Sequence, residues 1–213
     1  MYFLKYRPQT IEELDLKEVR RKLSKILKQD QIPHAFLFAG PKGAGKTSAA
    51  RILAKAINCQ NQNKDEYEPC NECNVCKAIT TGTSLDVVEI DAASNRGIDD
   101  IRQLKEKISL APVNADYKVY IIDEVHMLTK PAFNALLKTL EEPPAHVVFV
   151  LCTTNPEKII PTVLSRLLRV DFSRGSREEV RRSLDKVVEG ENLKVDDKVL
   201  ETIVDLAGGG FRD

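Results

Sequence analysis

The sequence predicts an α/β fold, a five-stranded parallel sheet with helices on both faces, followed by a smaller part made of helices alone. Three observations carry this reading. Five short apolar runs, at 34–39, 85–90, 117–122, 147–152 and 168–172, alternate with segments of helical periodicity, as strand–helix–strand units require. A glycine-rich stretch, Gly40-Pro41-Lys42-Gly43-Ala44-Gly45-Lys46-Thr47, stands between the first run and the helix after it. Beyond Ser173-Arg174-Gly175-Ser176 the strands stop, and 177–188 and 196–207 are amphipathic with no strand between them. The predicted division is 1–174 and 175–213.

Composition bounds the class. A length of 213 residues leaves room for one or two domains, and 42% hydrophobic content supports a substantial core. With 32 basic and 32 acidic side chains the net charge is zero, so contact with a polyanion must use a local patch. No apolar run has the length of a membrane span, and Met1-Tyr2-Phe3-Leu4-Lys5-Tyr6-Arg7 lacks the apolar centre of a signal peptide. A cytoplasmic protein with no membrane partner is expected. Thiols stay reduced in that compartment, so its clustered cysteines favour a metal over disulfides.

In chain order, residues 10–28 read as one amphipathic helix with Ile11, Leu14, Val19, Leu23, Ile26 and Leu27 apolar. The glycine-rich stretch then fits the phosphate-loop pattern G-x-x-x-x-G-K-[ST] at every fixed position. A strand precedes it, and a helix with Ala49, Ala50, Leu53, Ala54 and Ile57 on one face follows, so a chance glycine loop is the weaker reading. Gly40, Gly43, Ala44 and Gly45 let backbone N–H groups point inward at phosphates. Lys46 supplies a mobile positive charge and Thr47 a hydroxyl for magnesium.

Cys59, Cys70, Cys73 and Cys76 suit a tetrahedral Cys₄ zinc site in an insertion over 59–80. An iron–sulfur site and four unligated thiols are the alternatives. Four thiolates leave no open position, so the zinc is expected to be structural. Next, the strand at 85–90 breaks at Asp91-Ala92-Ala93-Ser94-Asn95-Arg96-Gly97, and a helix begins near Asp99 with Ile101, Leu104 and Ile108 inward.

The strand at 117–122 runs into Asp123-Glu124. At that strand end Asp123 can hold magnesium, and Glu124 can orient an attacking water. The alternative, a solvated acidic turn, is disfavoured by the phosphate loop upstream. A helix over 133–142 ends at Pro143-Pro144. After the next strand, Thr153-Thr154-Asn155 places polar groups at a carboxyl strand end, where open α/β sheets bind ligands. A short helix at 161–164 leads to Ser165-Arg166. His34, His126 and His146 lack metal-ligand spacing and read as structural or surface residues.

Taken together, Tyr6-Arg7-Pro8, the phosphate loop, the four cysteines, Asp91-Ala92-Ala93-Ser94, Val119 to Leu128, Phe133 to Pro144 and Ser165-Arg166 resemble the bacterial DNA polymerase III tau/gamma family. These are the ATP-hydrolysing subunits of sliding-clamp loaders, within the AAA+ ATPases. The resemblance covers nearly the whole chain. It implies ATP, Mg2+ and Zn2+ as cofactors, an AAA+ nucleotide-binding domain over 1–174, and a helical lid over 175–213 that stops short. It extends the nucleotide site to Tyr6, Arg7, Pro8 and Ser48. It also implies Thr154 as the sensor near the γ-phosphate, Arg212 as the lid's sensor arginine and Arg166 as an arginine finger acting in trans.

Implied partners are other clamp loader subunits in a hetero-oligomeric ring at full length, the sliding clamp and primer-template DNA, the last facing Asn95-Arg96-Gly97. The chain departs from the family in two places. Leu167 replaces a cysteine, and Asp15-Leu16-Lys17 replaces Val-Gly-Gln where the family approaches the adenine. Two other functions compete: a non-hydrolysing scaffold holding ATP and zinc, and an AAA+ motor of another DNA transaction such as branch migration.

Overall fold

The computed structural model describes residues 1–29, 31–62 and 67–211. Five strands, β1 (Ala35–Ala39), β2 (Val87–Asp91), β3 (Lys118–Asp123), β4 (Val147–Thr153) and β5 (Leu168–Asp171), form one sheet in the order β2-β3-β4-β1-β5. All four pairings are parallel. The sheet therefore needs cover on both faces, since crossover helices return over them.

The described helices are α1 (Tyr2–Lys5), α2 (Lys17–Leu27), α3 (Lys46–Asn58), α4 (Asn74–Thr81), α5 (Ile98–Ile108), α6 (Lys130–Glu141), α7 (Pro161–Leu164), α8 (Arg177–Gly190) and α9 (Asp197–Ala207); α2, α3, α5 and α6 supply the cover. Strand alternation divides the core. Phe36, Phe38, Val119, Ile121, Val148 and Val150 pack beneath α2 and α3, while Leu37, Tyr120, Ile122, Phe149 and Leu151 pack beneath α5 and α6. Because β1, β3 and β4 are adjacent and parallel, their carboxyl ends lie side by side. That edge carries the phosphate loop, Asp123-Glu124 and Thr153-Thr154.

Several boundaries differ from the sequence reading. The helix expected over 10–28 begins only at Lys17. Ile11, Leu14 and Leu16 are still buried, but in a turn. The Glu68 carboxylate takes the N–H groups of Ile11 (2.7 Å) and Glu12 (3.0 Å), which directs this segment toward the cysteine insertion. Helix α4 was not expected within that insertion. Its N-terminus is capped by Cys73, whose sulfur accepts the Cys76 N–H. β2 starts at Val87 rather than at 85, because the buried Asp86 carboxylate binds the N–H groups of Val113 (2.7 Å) and Asn114 (2.8 Å). Thr129 caps α6 three residues earlier than expected. Leu167, where the resembled family has cysteine, packs into the core beneath α5 and α6.

Helices α8 and α9 lean on each other through Arg177 and Arg181. Arg177 pairs with Glu201 and Asp205, and Arg181 with Asp185, Asp197 and Glu201. Hydrogen bonds tie them to the N-terminal segment. Glu191 accepts from Lys5 (2.5 Å) and Tyr6 (2.8 Å), Glu179 from the Lys17 N–H, and Lys186 donates to the Glu13 carbonyl. Among the described residues, no helix is long and apolar enough to cross a membrane.

Candidate nucleotide and metal sites

The phosphate loop leaves β1 at Gly40 under steric constraint. A Cβ at that position would meet the Phe172 carbonyl oxygen at 2.1 Å, because Phe172 N–H donates to Ala39 as β5 ends beside β1. Gly40 N–H in turn donates to the Thr153 carbonyl (3.1 Å), tying the loop to the end of β4. Gly45, at φ 86°, takes the left-handed conformation that turns the chain into α3.

Lys46 is 6% exposed and donates to the carbonyls of Gly40 (2.8 Å) and Pro41 (2.8 Å). Burial lowers its pKa, and Glu124, Cys152 and Asp123 oppose that shift. Lys46 is therefore a desolvated cation held by neutral carbonyls, and a multiply charged phosphate is a stronger acceptor for it.

The acidic side of the site is brought to the loop. Thr47 Oγ1 donates to Asp123 Oδ2 (2.8 Å), and Asp123 Oδ1 accepts the Glu124 N–H (2.9 Å). A hydroxyl and a carboxylate oxygen in contact are the oxygen donors that Mg2+ takes beside its waters and phosphates. Glu124 itself has φ 47°, which turns its side chain out of line with β3. Its Oε2 accepts from Thr154 Oγ1 (3.0 Å) and the Thr154 N–H (3.4 Å). His126 Nδ1 approaches the same oxygen at 3.3 Å and lies 3.0 Å from Thr153 Oγ1. Spacing alone marks His126 as structural or surface; the structure places it against Glu124. A 3₁₀ turn over Val125–Met127 makes that placement, and the lack of ligand spacing concealed it.

The cleft above these groups has a volume of about 870 Å³. Tyr6, Arg7 and Pro8 line it together with Gly43 to Ser48, Asp123 and Glu124. Arg7 Nε donates to Ser48 Oγ (2.7 Å), so the N-terminal segment is fastened to the start of α3. Asp15 and Leu16 line the cleft as well, opposite Leu184 and Val187 of α8 and Phe211. The Asp15 carboxylate lies 3.7 Å from Lys186; burial raises its pKa, and Lys186 opposes the rise.

Arg166 is not in this cleft. It follows α7 at the surface and pairs with Glu141 (2.8 Å). Arg212 lies outside the described residues. Gly97 N–H is taken by Asp100 Oδ2 (3.0 Å), so the N-terminus of α5, expected to face DNA, already holds its own carboxylate.

The second site is the cysteine cluster. The sulfurs of Cys59, Cys70, Cys73 and Cys76 all lie within 4.8 Å of one another. Backbone N–H groups of Cys70, Glu72, Cys73 and Cys76 point at these sulfurs at 3.3 to 3.4 Å. Burial acts to raise Cys70, but the Cys73 and Glu72 N–H groups outweigh it and hold the thiol at about 7. Burial pushes Cys59 and Cys76 up. Four converging sulfurs with N–H support fit a tetrahedral thiolate-bound ion, and a bound cation would reverse the upward shifts.

A family model described as DNA polymerase III, delta subunit, matches residues 16–176. The chain is 52% identical over 209 residues to the DNA polymerase III subunit tau of Bacillus subtilis, covering 98% of this chain and 37% of that protein. It is 42% identical over 210 residues to the tau subunit of Escherichia coli, covering 98% of this chain and 32% of the relative. The chain thus spans roughly a third of the length of these relatives. A solved DNA polymerase III gamma subunit-related protein of Thermotoga maritima matches at TM-score 0.63 and 24% identity, over 92% of this chain and 55% of that one. The Holliday junction branch migration motor RuvB of the same organism matches at TM-score 0.70 and 22% identity, over 99% of this chain and 62% of that one. At such identities the two structures show the shared fold.

Proposed function

The chain belongs to the DNA polymerase III subunit family that this model describes, among tau and gamma/tau relatives, and from that premise we propose that it is the ATP-hydrolysing motor part of a bacterial replicative clamp loader. In this reading it binds ATP with magnesium, carries one structural zinc, and works in the cytoplasm within a ring of partner subunits that loads the sliding clamp onto primed DNA. The observation that carries the proposal is the Thr47 to Asp123 hydrogen bond at 2.8 Å, with Glu124 next in the chain. It joins the glycine-rich loop to a pair of carboxylates in one cleft, the arrangement a nucleotide hydrolase needs.

The chemistry follows from the residues. Lys46 exchanges its two carbonyl partners for phosphate oxygens. Thr47 and Asp123 would hold a magnesium ion, whose charge would offset that developing on the phosphates. Glu124 would orient the attacking water, and Thr154, hydrogen-bonded to Glu124, would sense the γ-phosphate. Tyr6, Arg7, Pro8 and Ser48 close one wall of the cleft, and the lid of α8 and α9 closes the other, with Arg212 as its sensor. Arg166, outside its own cleft, serves the neighbouring subunit's ATP.

Titration of a fluorescent ATP analogue tests the site: Lys46→Ala is expected to abolish saturable binding, and undiminished binding would refute the assignment. Phosphate release by the full-length chain with partner subunits, clamp and primed DNA tests the motor, since a scaffold that only binds ATP releases none. About one zinc per chain is expected by elemental analysis.

A further inference from the structure

Lys55 is a buried cation that the nucleotide chemistry does not use. It sits nine residues beyond Lys46 on α3 and is 1% exposed. Its ammonium donates to Gln9 Oε1 (2.8 Å), Asn71 Oδ1 (2.7 Å) and Thr80 Oγ1 (3.3 Å). All three acceptors are neutral. A buried ammonium is costly without an opposite charge nearby, and neutral oxygens satisfy only its protons. Glu13, whose carboxylate also accepts the Gln9 N–H at 2.6 Å, is within electrostatic reach, and the Arg7 guanidinium opposes it. The other groups of negative polarity facing Lys55 are the sulfurs of Cys76 and Cys70.

The three acceptors come from three separate places. Asn71 lies between Cys70 and Cys73, in the left-handed conformation at φ 58° that bends the chain between those two sulfurs. Thr80 is in α4, four residues after Cys76, and donates to the Cys76 carbonyl (2.9 Å). Gln9 belongs to the segment over the nucleotide cleft and donates to the Arg7 carbonyl (2.9 Å).

We propose that Lys55 is the counter-charge of the four-cysteine metal centre and the clasp that fixes its Cys70-Asn71-Glu72-Cys73 bend to α3. This rests on the zinc reading above. A divalent zinc with four thiolates carries net negative charge, and a fixed ammonium beside it offsets part of that charge. Lys55 touches no sulfur by hydrogen bond, so it is a positioning residue.

The test is the rate at which the purified 213-residue chain gives up zinc to a chromogenic chelator, compared among the wild type, Lys55→Arg, Lys55→Gln and Lys55→Met. Partners outside the ligand shell typically change metal affinity by about 10- to 100-fold. Release from Lys55→Gln and Lys55→Met is therefore expected to quicken by about tenfold or more, while Lys55→Arg stays near wild type. Lys55→Gln keeps N–H donors and loses only charge, so it carries the test if Lys55→Met fails to fold. Equal release from Lys55→Gln and the wild type would overturn the proposal. Equally fast release from Lys55→Arg would assign the effect to packing and overturn the charge role. A wild type without zinc would instead refute the zinc reading on which the inference stands.

Discussion

Glu124 occupies a left-handed backbone conformation that costs a non-glycine residue about 1 kcal/mol or more. Its carboxylate is retained by Thr154 and His126. Glu124→Gln preserves an acceptor for the Thr154 hydroxyl and removes only the charge that, in the proposed mechanism, orients water. ATP affinity is expected to be unchanged while single-turnover hydrolysis in the assembled complex falls by about 100-fold or more. At Gly40 the limit is space. Gly40→Ala drives a methyl into the Phe172 carbonyl, so a loss of about 2 kcal/mol in denaturant unfolding is expected, together with weaker ATP-analogue binding. The placement of Lys46, Thr47 and Asp123 in one cleft is legible in the sequence because it depends on spacing along strand–loop–helix units. The contact of His126 with Glu124 is not legible, since it depends on a short 3₁₀ turn and on the parallel strand β4, neither of which leaves a periodic signal.

The same division holds for whole elements. β1, β3 and β4 are buried on both faces and read as continuous apolar runs. α4 was missed because its buried face is only Val75, Cys76 and Ile79 within a polar insertion. The start of α2 was misplaced because Ile11 and Leu14 are spaced as in a helix, and the deciding partner, Glu68, lies 57 residues away from Ile11. The cysteine insertion also has a pH signature. In metal-free chain Cys70, held at about 7, is expected to react with iodoacetamide with a midpoint near pH 7, ahead of Cys59 and Cys76. Its folded pKa lies below the ordinary thiol value. The stability it contributes is therefore full above that value and lost as pH falls through about 7. Peptide mapping of the alkylated chain across pH checks the order, and zinc is expected to protect all four thiols.

At the scale of the molecule, hydrogen bonds through Glu179, Lys186 and Glu191 tie α8 and its C-cap to the N-terminal segment, and α8 buries only Val180. Val199, Ile203 and Leu206 stay 49%, 40% and 82% exposed on α9. Lys5 and Tyr6 hold Glu191 below the usual carboxylate range. That tie is at full strength above the ordinary glutamate value and is lost as pH falls through the depressed one. No comparable device brings Arg166 to its own cleft. It stands at the surface, with Glu141 at the end of α6 as its partner, while Glu124 stands shortly before α6 begins. An arginine supplied in trans contributes about 10³- to 10⁵-fold to phosphoryl transfer. Arg166→Ala is therefore expected to leave ATP-analogue binding to the isolated chain intact and to reduce hydrolysis in the assembled ring by about 1,000-fold. Glu141→Gln, which removes the ion pair and keeps the guanidinium, is expected to retain most of that hydrolysis. Full activity of Arg166→Ala in the ring, or loss of ATP binding by the isolated variant, would show that the arginine does not act across a subunit boundary.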